Sequence, residues 1–278
     1  MIELGQYSKL QVIKKRTFGC FLNAENFGEI LLPEKYAPEK LSVGDFVEVF
    51  IYLDTNDKPI ATTQKPKARV GEFAYLDALD INSTGAFLDW GLDKDLMVPF
   101  GEQHRPMQSG HSYLVYVYID KVDSRITASS KIDKFLNDNK SHAFTAGQMV
   151  SLIIANSTDL GFKAIINHSH WGLLYKNEVH QRLSFGQSTS GFIKEIRADG
   201  KIDLTLNLQG SPETYDKAGK NILTLLKKNK GFLAVHDKTD PKVIYELFGI
   251  SKGAFKKAIG GLYKQKIIAI KDDGIHLL

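Results

Sequence analysis

Cysteine is the scarcest residue in the chain, present only as Cys20. A single thiol excludes an internal disulfide and any cysteine-cluster zinc site, and it suits a reducing compartment. Long apolar runs are also missing. Stretches such as residues 152–155 and 267–270 fall far short of the ~20 residues that cross a bilayer, so no membrane partner is expected. Glu3 stands where a signal peptide needs positive charge and then an apolar core, which leaves a cytoplasmic protein as the expectation. Catalytic patterns are absent as well. Gly219-Lys220 lacks the upstream glycine of a phosphate-binding loop, and the Asp93/Asp95 and Asp272/Asp273 pairs sit at turns without further converging carboxylates. His168 and His170 have no third ligand at metal-site spacing. No enzyme, cofactor or metal is expected.

What is present is ordinary globular material, 43% apolar and 24% charged, with the charge unevenly placed. Residues 212–278 carry 13 lysines and no arginine against 7 acidic residues, whereas residues 1–211 hold 23 basic and 25 acidic ones. A basic end on a near-neutral body fits an anionic partner at that end, although a lysine-rich surface also serves solubility alone.

An internal repeat organises the body. It starts at Gly5, Gly71 and Gly147, continues fourteen positions later at Gly19, Gly85 and Gly161, and reaches Gly44, Gly110 and Gly186 without a gap. Pro59, Arg125 and Lys201 follow, each before an isoleucine: Ile60, Ile126 and Ile202. The segments read as strands: residues 43–52 alternate, residues 113–119 are β-branched and aromatic, and Asn56-Asp57-Lys58 and Asp199-Gly200 make turns. Five short strands per copy would close into a small barrel. A unit of about sixty residues buries only about 60% of its unfolded surface, so neighbouring barrels are expected to support one another. Residues 131–136 read as a short connecting helix.

The glycine, the Phe-Gly-x-Phe segment, an apolar triplet, Gly-x-x-Val-x-Val and a terminal Arg-Ile together resemble the S1-type RNA-binding domain, an oligonucleotide-binding barrel. Copy one carries Thr17-Phe18-Gly19-Cys20-Phe21-Leu22 and copy two Ser83-Thr84-Gly85-Ala86-Phe87-Leu88. The resemblance implies aromatic faces for bases at Phe18, Phe21 and Phe87, and a family arginine at Arg125, which is Lys201 in copy three and Pro59, beside Lys58, in copy one. Pro33, Pro99 and Tyr175 replace a histidine that the family often has. Copy three weakens the aromatic motif to Leu160, Phe162 and Lys163, but adds His168, His170, Trp171, Tyr175, Lys176, His180 and Arg182, then Lys194, Arg197 and Lys201. Interleaved rings and cations suit single-stranded nucleic acid, whereas Trp171 could equally pack in a barrel core. Copy two is the most acidic, with 9 basic and 11 acidic residues over 67–143, and reads as the weakest binder or a spacer.

Residues 212–278 read as a different fold. Ser211-Pro212 opens a helix with Tyr215, Ala218, Ile222, Leu225 and Leu226 on one face. Asp240-Pro241 opens a second, ending at Gly249. Ser251 caps a third that buries Phe255, Ala258, Ile259 and Leu262. Two strands joined by Asp272-Asp273-Gly274 complete a winged helix-turn-helix. Lys252, Lys256 and Lys257 point off the apolar face of the third helix, the one that enters the major groove when such a fold binds DNA. No arginine, asparagine or glutamine sits mid-helix to read base edges.

Three S1-like barrels (1–66, 67–143 with the connector, and 144–211) followed by a winged helix (212–278) make the fold class mainly β with a C-terminal α/β module. Over the whole chain this resembles the CvfB (conserved virulence factor B) family, notably in residues 251–263. The resemblance implies an RNA-binding protein that affects gene expression after transcription and has no catalytic activity. The residues alone stop at nucleic acid and leave a DNA-binding regulator or a ribosome-associated interaction protein as alternatives.

Overall fold

The computed structural model describes residues 2–137, 143–179, 181–206, 212–264 and 266–278, with side chains of the first long helix described from Ala218 onward. The Ser211 cap, the Tyr215 side chain and His180 lie outside the described residues. Barrel one consists of β1 (Tyr7–Arg16), β2 (Gly19–Asn23), β3 (Glu29–Pro33), β4 (Phe46–Leu53) and β5 (Pro59–Thr62), closed in the order β1-β2-β3-β5-β4. Barrel two repeats this with β6 (Phe73–Ile81), β7 (Gly85–Leu88), β8 (Leu96–Pro99), β9 (Ser112–Ile119) and β10 (Ile126–Ser129). Barrel three uses β11 (Met149–Ser157), β12 (Gly161–Ile166), β13 (His170–Tyr175), β14 (Ser188–Ile196) and β15 (Ile202–Thr205).

The repeat has a physical reading. A side chain at Gly19, Gly85 or Gly161 would place its Cβ 2.3, 2.4 or 2.0 Å from a carbonyl oxygen of the next strand, so only glycine lets the strands pass. Gly44, Gly110 and Gly186 turn the chain at φ 94°, 78° and 78°, in the left-handed region. The first strand of every copy shifts register at the same place, between Val12 and Lys14, Ala78 and Asp80, and Ile154 and Asn156. Such bulges bend a strand enough for five to close.

Two expectations need correction. The repeat does slip, by one residue, in its last strand: Pro59 lies opposite Leu53, whereas Ile126 lies opposite Ile119. The turn before β5 is one residue shorter, so the place of Arg125 is taken in barrel one by Lys58 rather than Pro59. Barrels one and three close through parallel pairs, Leu31 with Ile60 and Leu173 with Asp203. In barrel two the corresponding strands β8 and β10 lie side by side without a backbone ladder. There the Thr127 hydroxyl donates to the Met97 carbonyl at 2.9 Å and bridges the seam.

The barrels do support one another. Phe50 and Tyr52 from β4 share one apolar cluster with Leu76, Trp90, Val115 and Val117 of barrel two. The Trp90 indole stands edge-on to Phe50 at 5.6 Å and donates to the Ala68 carbonyl at 2.7 Å. Phe73 and Leu114 meet Ile153, Ala155 and Ile165 at the second joint. The expected connecting helix is a single 3₁₀ turn, Ile132–Phe135, whose Phe135 ring stacks on Tyr116 at 4.1 Å.

The C-terminal module is α1 (Pro212–Lys228), β16 (Phe232–Leu233), α2 (Pro241–Phe248), α3 (Lys252–Lys264), β17 (Ile268–Lys271) and β18 (Gly274–Leu277), with sheet order β16-β18-β17. Asp240 accepts from the Lys242 amide at 2.8 Å, Gly249 ends α2 at φ 66°, and Ser251 accepts from the Ala254 amide at 3.2 Å. Ala218, Ile222, Ile244, Phe255, Ala258, Ile259 and Leu262 form its core, so α3 runs intact through Gly260-Gly261 because its buried face is continuous. Among the described residues no helix is long and apolar enough to cross a membrane.

Candidate nucleic-acid interface

Alternate residues of a strand share a face about 6.6 Å apart. On β13, Gly172 and Leu174 are buried, so Trp171, Leu173 and Tyr175 form an outward row. Lys163 on β12 lies opposite Leu173, and its ammonium sits 4.1 Å above the Trp171 ring. The Lys194 ammonium and the Arg197 guanidinium lie 5.7 and 5.8 Å from the Tyr175 ring. Arg197 is anchored by the Asp203 carboxylate, at 3.0 and 3.1 Å from Nε, and also donates to the Tyr175 hydroxyl. Lys194 pairs with Glu178, whose hydrogen bond holds the ammonium firmly protonated. Two rings, three cations and the two carboxylates that pair with Lys194 and Arg197 thus meet on barrel three.

Asp203 was not singled out by sequence. Its signal is an acidic residue at a strand position where barrel two has Thr127 and where the corrected register places Ile60 of barrel one. Trp171 is not a core residue of its own barrel. It flanks the joint to barrel two, and its indole donates to Asp133 of the connector at 3.1 Å. Lys201 lies off the row, in the turn before β15, paired with Asp199 at 3.1 Å.

His168 leaves the cationic group to which its sequence position assigned it. Positive φ values at Asn167 and His168 swing the turn toward barrel two. There its Nδ1 accepts the Phe73 amide at 2.9 Å and its ring lies parallel to Phe73. Burial holds this imidazole below the usual histidine range. His170 instead meets Phe144 edge-on, with its Nδ1 2.9 Å from the Ser169 hydroxyl.

Barrel one presents a smaller aromatic site. Phe18, 57% exposed in the β1–β2 turn, stands edge-on to Phe21 at 6.0 Å, and the Lys14 ammonium lies 5.6 Å from the Phe21 ring. Glu29, 3.8 Å from Lys14, partly neutralises it. Barrel two differs in charge. Phe87 is half-buried between Asp80 and Met97. Burial, reinforced by Asp89 and Asp80, pushes the Asp95 carboxyl above the usual carboxylate range. Arg125 pairs with Asp57 of barrel one at 2.5 Å.

On α3, Lys252, Lys256 and Lys257 lie off the buried face. Lys252 donates to the Lys238 carbonyl at 3.2 Å, and Lys256 lies 3.8 Å from Asp237. Cys20 is buried, and burial pushes its thiol up, away from reactivity. Among the described residues no group of three His, Cys, Asp or Glu could hold a metal.

A file of S1-type barrels ending in a winged helix is a multidomain protein of nucleic-acid-binding domain types rather than of an enzymatic family. Residues 4–64 match the S1 domain family, and residues 220–277 match the CvfB-like winged helix domain. The chain is 28% identical to Conserved virulence factor B of Staphylococcus aureus (strain N315), covering 99% of this chain and 94% of the relative. It is 28% identical to the uncharacterized protein YitL of Bacillus subtilis, covering 94% and 89%. A crystal structure of a multidomain protein with nucleic acid binding domains from Streptococcus pneumoniae aligns over 99% of this chain and 98% of its own at 24% identity and a TM-score of 0.42. In sequence, the resemblance to Conserved virulence factor B extends along nearly the whole chain, and the C-terminal domain matches the CvfB-like winged helix.

Proposed function

We propose that the protein binds single-stranded RNA and acts in post-transcriptional regulation of gene expression. The observation that carries this reading is the outward row of Trp171, Leu173 and Tyr175 flanked by Lys163, Lys194 and Arg197. Unpaired bases stack on such rings while the cations meet the phosphates, and neither contact selects a base strongly. Phe18 and Phe21 add a second platform on barrel one, and Arg125, Lys201 and the α3 lysines add cations. The S1 and CvfB-like matches support the same assignment.

The second reading, a DNA-binding regulator, is favoured by α3 with Lys252, Lys256 and Lys257 on its outer face. A helix without base-reading side chains contacts phosphate, which serves RNA as well as DNA. The test titrates full-length protein with a twelve-nucleotide single strand of RNA, a DNA duplex and ribosomes, each at ~50 and ~150 mM salt. RNA should bind most tightly, with affinity falling steeply as salt rises. Absence of RNA affinity at ~50 mM salt would overturn the proposal, and binding to duplex or ribosome alone would select the DNA or the ribosome-associated reading.

A further inference from the structure

The turn between β4 and β5 reaches from barrel one onto barrel two. Asp54 ties the turn together by accepting the Asn56 and Lys58 amides at 2.8 and 2.9 Å, and Asp57 sits at φ 58°. Asp57 Oδ1 accepts from Lys94 Nζ at 2.9 Å, and its Oδ2 accepts from Arg125 Nη2 at 2.5 Å. Lys94 also donates to the Asp54 carbonyl at 2.7 Å, and Asp123 lies 3.8 Å from Arg125. Both cations belong to barrel two, from its β7–β8 and β9–β10 connections. They converge on the two oxygens of one carboxylate as they would on the two non-bridging oxygens of a phosphodiester. The three side chains remain 34–50% exposed, within reach of a ligand.

We propose that Lys94 and Arg125 form a backbone-phosphate site on barrel two, and that Asp57 of barrel one is a built-in competitor occupying it until RNA displaces it. This rests on the RNA reading above. Exposed ion pairs contribute little to stability, so exchanging one anion for another costs little. The apolar cluster around Phe50 and Trp90 holds the two barrels together independently of the clasp. Release of Asp57 therefore frees Arg125 without separating the domains. Barrel two gains a phosphate contact only when a strand already bound elsewhere is passing it.

Zero-length carbodiimide coupling of the unmodified full-length protein reads the clasp directly, as an Asp57–Lys94 crosslink identified by mass spectrometry. Lys35–Asp93, a second ion pair between the same barrels, serves as the internal control. Sulfate, and separately a twelve-nucleotide uridine RNA without a 5′ phosphate, should each lower the Asp57–Lys94 yield about threefold or more while leaving the control unchanged. D57N should bind the RNA about three- to tenfold more tightly at ~50 mM salt, and the gain should vanish in D57N/K94Q/R125Q. RNA that binds without lowering the crosslink would overturn the clasp and leave the RNA reading standing. Loss of the crosslink with sulfate alone would remove RNA as the occupant and likewise overturn the proposal. A D57N gain that survives the loss of both cations would do the same.

Discussion

At the residue scale, His168 shows how one side chain can change its role without changing its type. The sequence places it among cations, whereas the structure fits its neutral ring against Phe73 with Nδ1 as an acceptor. A proton on Nδ1 would remove that hydrogen bond, and burial already disfavours the charged form, with Glu72 opposing and Arg69 assisting. Because folding lowers this pKa, the unfolded chain binds more protons just below the ordinary histidine value of about 6.5, and stability falls as pH drops through that window. We expect the melting temperature to fall between pH 7 and pH 5.5, and His168→Gln, which keeps an acceptor, to narrow the fall. An unchanged difference between the two pH values in H168Q would remove His168 from the acid response. Asp203 shows the opposite case of legibility. It went unnoticed because its meaning comes from its pairing with Leu173 across the closing seam and its contact with Arg197 across the β14–β15 turn, which no local motif marks.

At the scale of elements, the row on β13 and the face of α3 make distinct contributions to binding. Tyr175→Ala should cost about 1–3 kcal/mol of RNA affinity, and Phe21→Ala a similar amount. Phe87→Ala should cost clearly less, because Asp80 and Asp95 would repel the phosphate of any base stacked there. Equal losses for all three, measured by fluorescence anisotropy on proteins with unchanged melting, would refute the charge argument. For α3, changing Lys252, Lys256 and Lys257 together to alanine should weaken all sequences alike and flatten the salt dependence by about 0.7 in slope per lost contact with a single strand. A variant that lost one sequence while keeping its slope would instead mark base reading. The strands and helices behind these faces were legible because alternation in Tyr113–Ile119 and helical spacing in Phe255–Leu262 are local signals. The closure of the strands into barrels was legible only through the repeat. The open seam between β8 and β10 was not, since Thr127 reads like any β-branched strand residue.

At the scale of the whole molecule, the order of domains was readable from sequence but their mutual packing was not. Trp90 carried no motif, yet it sits at the first joint, and Trp171, read as either core or ligand platform, flanks the second. Contacts between barrels depend on residues far apart in the chain, and nothing in local periodicity marks them. The interior of barrel two is continuous with the first joint through Phe50 and Tyr52, its Phe73 and Leu114 belong to the second, and one hydroxyl bridges its seam. The unit that recurs along the chain is therefore not bounded by its own apolar cluster. Copy two shares one edge of its interior with barrel one and gives Phe73 and Leu114 to the second joint, so excising it would expose apolar surface at both ends. A segment held from both sides is under less demand to close itself or to grip a ligand. The middle copy accordingly presents one motif ring, Phe87 opposite Asp80, where the outer two present Phe18 with Phe21 and Trp171 with Tyr175.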